Sequence, residues 1–223
     1  MKYCQNKGTG QLKSALVFGD SLGDLGYARE EARRVGSLFR SEIALKDWAT
    51  KKVLKGRLEA TRGSIDVLHF ACHGKFDIHE PLKSCVLLAP DREGVSREKR
   101  CIEERDLTAQ QILELELRTE LVTLSACKSG ISERRAGDEL IGLTRSLIYA
   151  GTPSVVVSLW SVDDESTGLL MEYFYHNLLF GFEDTSLTKV EALRSAQKHV
   201  INLGGLLQHP FYWAPFILVG SSG

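Results

Sequence analysis

The sequence predicts an α/β fold built around a mostly parallel β-sheet. Short apolar runs rich in β-branched residues alternate with longer segments whose apolar residues fall at helical spacing, the order that a parallel sheet with crossover helices requires. Several of the runs are apolar almost throughout, as strands buried on both faces must be. The chain is also large enough: at 223 residues, 43% of them apolar, a chain buries roughly 70% of the surface it exposes when unfolded, so one domain holds a core without staples.

The first run, Ala15 to Phe18, closes at Gly19-Asp20 and leads into a helical segment from Gly26 to Phe39, in which Ala28, Ala32, Val35, Leu38 and Phe39 fall at helical spacing. A short run, Ile43 to Leu45, precedes a second helix over Thr50 to Thr61. Asp66 to Ala71 is the next buried strand, ending at Cys72-His73-Gly74. From Gly74 to Arg105 the pattern loosens around one apolar run, Cys85 to Ala89, and reads as an excursion off the sheet. Thr108 to Leu117 reads as a helix, Leu121 to Ser125 as a buried strand ending at Ala126-Cys127, and Lys128 to Gly137 as a loop. A helix over Leu140 to Ala150, a strand over Ser154 to Leu159, helices over Glu165 to Leu179 and Lys189 to Leu203, and a last apolar run at Phe216 to Val219 complete the chain. Residues 1–13 form a polar N-terminal segment, and residues 14–223 read as a single domain.

Charge and cysteine usage exclude several classes. Lys plus Arg (28) against Asp plus Glu (29) leaves a net charge of −1, so no broad cationic field selects nucleic acid or an anionic membrane as partner. The five cysteines, at 4, 72, 85, 101 and 127, lack the regular spacing of a secreted disulfide framework, which points to reduced thiols and a cytoplasmic setting. The N-terminus has no apolar signal region, and no run is long enough to span a membrane.

In open parallel sheets, reactive groups gather at the carboxyl ends of the strands. His73 lies just past the strand ending at Ala71, and Cys127 just past the strand ending at Ser125. Adjacent strands sit only about 4.8 Å apart, so the two residues face one another if those strands are neighbours. A free thiol with pKa near 8.5 is only a few per cent ionised at neutral pH and needs a base beside it. His73 supplies one: the imidazole takes the proton, Cys127 attacks a carbonyl, and the imidazole then protonates the departing amine. Gly74 leaves room for substrate, and its N–H, with that of Cys127, is aimed to receive the developing oxyanion. Cys4, Cys72, Cys85 and Cys101 read as packing or surface thiols, because free cysteine is among the most buried residue types.

Two other motifs are set aside. The cluster His69, Cys72, His73, His79, Cys85 matches no common zinc spacing, so no metal or other cofactor is expected, and His69 reads as a hydrogen-bonded core histidine. Val17-Phe18-Gly19-Asp20-Ser21-Leu22-Gly23-Asp24 looks like the nucleophile block of GDSL esterases, which would make Ser21 a nucleophile. That family also needs an Asp three residues before a C-terminal His, whereas Leu206 stands there before His209. Gly19-Asp20 is better read as a strand-ending turn.

A distributed set of segments resembles the CHAT domain, a member of the caspase, separase and gingipain group of cysteine peptidases that is often joined to tetratricopeptide repeats. The segments are Leu68 to Gly74, Leu107-Thr108, Leu124 to Gly130, Gly137-Asp138-Glu139, Ala150-Gly151, Val156 to Asp164 and His209 to Phe216, in the expected order across Leu16 to Gly220. The resemblance implies a caspase-like three-layer αβα sandwich with a mostly parallel sheet of about six strands. It makes His73 and Cys127 the catalytic dyad. It also implies that Asp164, with Asp163 beside it, faces a basic P1 side chain, although either residue equally suits the start of the following helix. Asp138 and Glu139 have the same alternative at the Leu140 helix, and Arg134-Arg135 reads as a solvated loop face or, if the enzyme processes itself, as an accessible basic cleavage site.

The expected function is therefore a cysteine endopeptidase that cleaves a protein substrate, with a preference for a basic P1 residue and no metal in the chemistry. Tetratricopeptide repeats in cis or a separate activator are the expected partners. The alternative is a catalytically silent caspase-like scaffold that binds other proteins.

Overall fold

In a computed structural model, residues 12–62, 64–77, 79–91, 105–125, 127–128, 140–160, 164–181, 185 and 187–223 are described. Strand β1 (Ser14–Gly19) pairs in parallel with β2 (Arg40–Leu45) on one side and with β3 (Val67–Ala71) on the other. Then β7 (Leu121–Leu124) and β9 (Ser154–Ser158) extend the parallel sheet, and β10 (Phe216–Gly220) closes it antiparallel to β9. The order is β10-β9-β7-β3-β1-β2.

Period-two alternation sorts these strands between two cores. Leu16, Phe18, Leu68, Phe70, Val122, Leu124, Val155 and Val157 face one side. There they pack on α2 (Lys51–Ala60), α3 (Ala109–Leu113) and α4 (Leu140–Ala150) through Leu54, Leu58, Ile112 and Leu147. Ala15, Val17, Val67, Leu121 and Val156 face the other side, against α1 (Gly26–Ser37), α5 (Asp164–Phe180) and α6 (Lys189–Asn202). The result is the three-layer αβα sandwich that the sequence predicts. Thr50, Thr108 and Thr188 cap the helices they precede, the latter two in reciprocal capping boxes with Gln111 and Glu191. Gly19 brings α1 down onto the strand end, where a Cβ would lie only 2.5 Å from that of Ala32.

The excursion after Gly74 forms a small sheet of its own. Strands β4 (His73–Lys75), β5 (Cys85–Leu87), β6 (Asp106–Thr108) and β8 (Cys127–Lys128) pair in the order β6-β5-β4-β8. One helix is shorter than the sequence suggests. The pattern over Thr108 to Leu117 ends as a helix at Leu113, because the Leu117 N–H leaves the helical ladder to bond the Ala150 carbonyl, 2.8 Å away, and Leu117 packs into the core.

Candidate active site

The carboxyl ends of β1, β3 and β7 lie side by side. At the end of β1 the chain turns through Asp20, whose φ of 49° is left-handed. Its buried carboxylate accepts from the Leu25 N–H (2.7 Å) and from the Arg29 guanidinium (Nε, 2.9 Å; Nη2, 2.5 Å). A buried carboxylate needs such partners, and their geometry fixes the turn that presents Asp24. The Asp20 N–H bonds the Ala71 carbonyl (3.0 Å), tying this turn to the end of β3.

Asp24 reaches His73: its Oδ1 lies 3.0 Å from Nε2 of the imidazole. A carboxylate only accepts, so Nε2 carries a proton toward it. The other ring nitrogen, Nδ1, is buried and has no hydrogen-bond partner among the described residues. The neutral ring therefore presents Nδ1 as its basic atom. His73 is the first residue of β4, which runs parallel to β8 with His73 opposite Cys127 and Gly74 opposite Lys128 in the backbone register. Gly74 is buried between β5 and β8 and makes interactions of its own. Asp164 is the first residue of α5, and Trp160, just past β9, donates its Nε1–H to the Phe211 carbonyl (3.2 Å). Asp163, Asp138, Glu139, Arg134, Arg135, Cys4 and Cys101 lie outside the described residues.

Ser21 is not available as a nucleophile. It is buried, and its hydroxyl donates to the Leu87 carbonyl at 2.5 Å. Asp24, by contrast, is a site residue that the sequence does not announce. It belongs to the Asp20 to Asp24 block at a strand end, and only the strand order places that block beside His73.

Two of the other thiols are spent in packing. Burial pushes Cys72 up to about 12, and burial together with the nearby Asp106 carboxylate does the same for Cys85, also to about 12. Neither thiol is expected to react measurably with iodoacetamide in the folded protein near neutral pH, as peptide mapping after brief alkylation will check. Their folded values stand above the ordinary thiol range, so unfolded thiols ionise first and folding stability falls as pH rises from about 8.5 toward about 12. Urea midpoints measured across that window should decline, and Cys72→Ala should flatten the decline. Among the described residues, no group of three or more metal-ligating side chains is gathered, and no helix is long and apolar enough to cross a membrane.

A mostly parallel sheet with this order, helices on both faces, and a histidine and a cysteine set opposite one another just past two strand ends define a caspase-like α/β protein. The CHAT domain model matches residues 5–221, and the chain belongs to that family. Human tetratricopeptide repeat protein 28 is 27% identical over an alignment of 243 residues, covering 96% of this chain but 9% of the relative, so the chain spans about a tenth of that protein's length. Among solved structures, Saccharomyces cerevisiae separase in complex with securin superposes with a TM-score of 0.57 at 15% identity, covering 95% of this chain and 12% of the other. The Arg-specific cysteine proteinase gingipain R does so with a TM-score of 0.59 at 11% identity, covering 99% of this chain and 49% of the other. At such identities these two structures establish the shared fold.

Proposed function

We propose that this domain is a cysteine endopeptidase acting on a protein substrate through Cys127 and His73. The observation that carries the reading is the backbone register that sets His73 opposite Cys127, together with a His73 ring whose Nε2 faces Asp24 and whose Nδ1 has no hydrogen-bond partner among the described residues. The thiol proton passes to Nδ1, and the Cys127 sulfur attacks the scissile carbonyl. The amide N–H of Cys127 receives the oxyanion, and Gly74 leaves space for the chain beyond it. Collapse breaks the C–N bond as His73 returns its proton to the departing amine. Water, deprotonated by the same imidazole, then attacks the thioester and frees the carboxylic acid and the thiol. No metal or cofactor enters these steps.

Asp164, with Asp163, is proposed to anchor a basic P1 side chain. Its place at the start of α5, beyond the end of β9, supports this reading, as does the Arg specificity of gingipain R, a protein of the same fold. Tetratricopeptide repeats in cis are the proposed partners, since the human relative bears such repeats in its name. The setting proposed is cytoplasmic. A scaffold of the same fold would bind proteins without cleaving them, and hydrolysis separates the two readings. Incubation with a peptide library varied at P1, read by mass spectrometry, should give cleavage after Arg or Lys that is lost in Cys127→Ala. A wild-type protein that labels and cleaves nothing, with or without repeat-bearing partners, would favour the scaffold.

Asp24 orients His73 in this scheme. Its carboxylate is 60% exposed, so the pair is screened and contributes about 1 kcal/mol at most. Asp24→Asn should accordingly lower kcat by roughly fivefold while leaving KM and the melting temperature near wild type, as steady-state kinetics on a cleaved peptide will test.

A further inference from the structure

Beneath the candidate site lies a second histidine that the proposed chemistry does not use. His69 on β3 is fully buried, and its Nδ1 is 3.2 Å from the Tyr175 hydroxyl on α5. The same hydroxyl is 2.6 Å from Oγ1 of Thr123 on β7. On the far side of the ring, the Glu31 carboxylate on α1 lies 3.1 Å from Nε2, near enough to pair but out of line for a hydrogen bond. Tyr175 is itself fully enclosed, edge-on to Phe39 and to the His69 ring, and burial pushes its phenol well above the usual range.

Position in the register gives this cluster its meaning. His69 and Thr123 are direct partners across β3 and β7. The pairing then passes through Phe70 opposite Leu124 and the Ser125 N–H on the Phe70 carbonyl (2.9 Å), and the small sheet resumes the same register where His73 stands opposite Cys127. The apolar side chains of β3 and β7 alternate with period two, and a slip of two residues would keep each of them on its own face. Face burial alone therefore does not exclude that slip. A hydroxyl held between His69 and Thr123 fixes the register strongly, because a slip strands three buried polar groups without partners. The chain of contacts also touches α5, which begins at Asp164, and α1, which begins two residues after Asp24.

We propose that Tyr175 is a positioning residue for the dyad: with His69 and Thr123 it pins β3 to β7 in the register that sets His73 against Cys127 four residues further on. The inference rests on the peptidase reading above, which it deepens. Tyr175 touches no reacting atom and acts through the two strands.

The test is a titration of the protein labelled with [13Cβ]-cysteine, followed by NMR, in wild type, Tyr175→Phe, Thr123→Val and Thr123→Ser, each well below its melting temperature. The Cys127 midpoint in the wild type is expected below the ordinary thiol range. Tyr175→Phe and Thr123→Val should each raise it by about one pH unit, Thr123→Ser should retain the wild-type value, and the Cys72 resonance should not move. A lowered melting temperature with an unmoved Cys127 midpoint in both Tyr175→Phe and Thr123→Val would overturn the proposal and reduce the cluster to a core contact. An ordinary Cys127 midpoint in the wild type itself would overturn the peptidase reading, and the positioning role with it.

Discussion

Cys127→Ala is expected to abolish peptide hydrolysis, with a loss of at least about 10⁴-fold in kcat/KM, because no other group forms the thioester. His73→Ala is expected to cost about 10²- to 10⁴-fold, less than loss of the nucleophile, since hydroxide can still ionise some thiol at high pH. The double variant should be no worse than Cys127→Ala alone: two residues that act as one unit are not additive. Cys72→Ala should retain activity, because that thiol is buried in the core and held protonated. Rates on a single fluorogenic peptide, with melting temperatures recorded alongside, separate lost chemistry from lost folding. Equal activity in Cys127→Ala and wild type would refute the assignment.

The second large effect concerns specificity. Asp164→Asn, and more fully the Asp163→Asn/Asp164→Asn pair, should reduce kcat/KM for an Arg or Lys P1 substrate by about 30- to 5,000-fold, the range for removing one partner of a desolvated charge pair. A norleucine P1 peptide, which matches the apolar stem of lysine without its charge, should be cleaved no worse by the variant than by wild type. The crossing of the two activities is the signature of a carboxylate in the P1 pocket. If both substrates fall together, these aspartates do not act on the substrate.

Much of this arrangement is legible in the chain because burial leaves a strong pattern. The strands Val67–Ala71 and Leu121–Leu124 are doubly buried, so their apolar runs stand out, and the residues just past them mark the reactive edge of a parallel sheet. His69 also reads correctly as a core histidine. What it bonds does not, since Tyr175 is 106 residues away and only the packing of α5 across β3 brings it near. The small sheet of β4, β5, β6 and β8 escapes notice for a different reason: strands of two or three residues are too short for alternation to show. Asp24 is hidden by topology. Its loop follows the first strand, and β1 becomes the neighbour of β3 only through the strand order. The early end of α3 likewise depends on the Ala150 carbonyl, which no local window contains.

The most direct test of the dyad is the alkylation rate of each cysteine by iodoacetamide as a function of pH, read by peptide mass spectrometry, in wild type and His73→Ala. Cys127 is expected to react fastest, with a rate already high near pH 6 that falls to that of an ordinary thiol without His73, while Cys72 and Cys85 stay unmodified in both. A Cys127 that reacts no faster than an ordinary thiol, and that is indifferent to the loss of His73, would contradict the dyad.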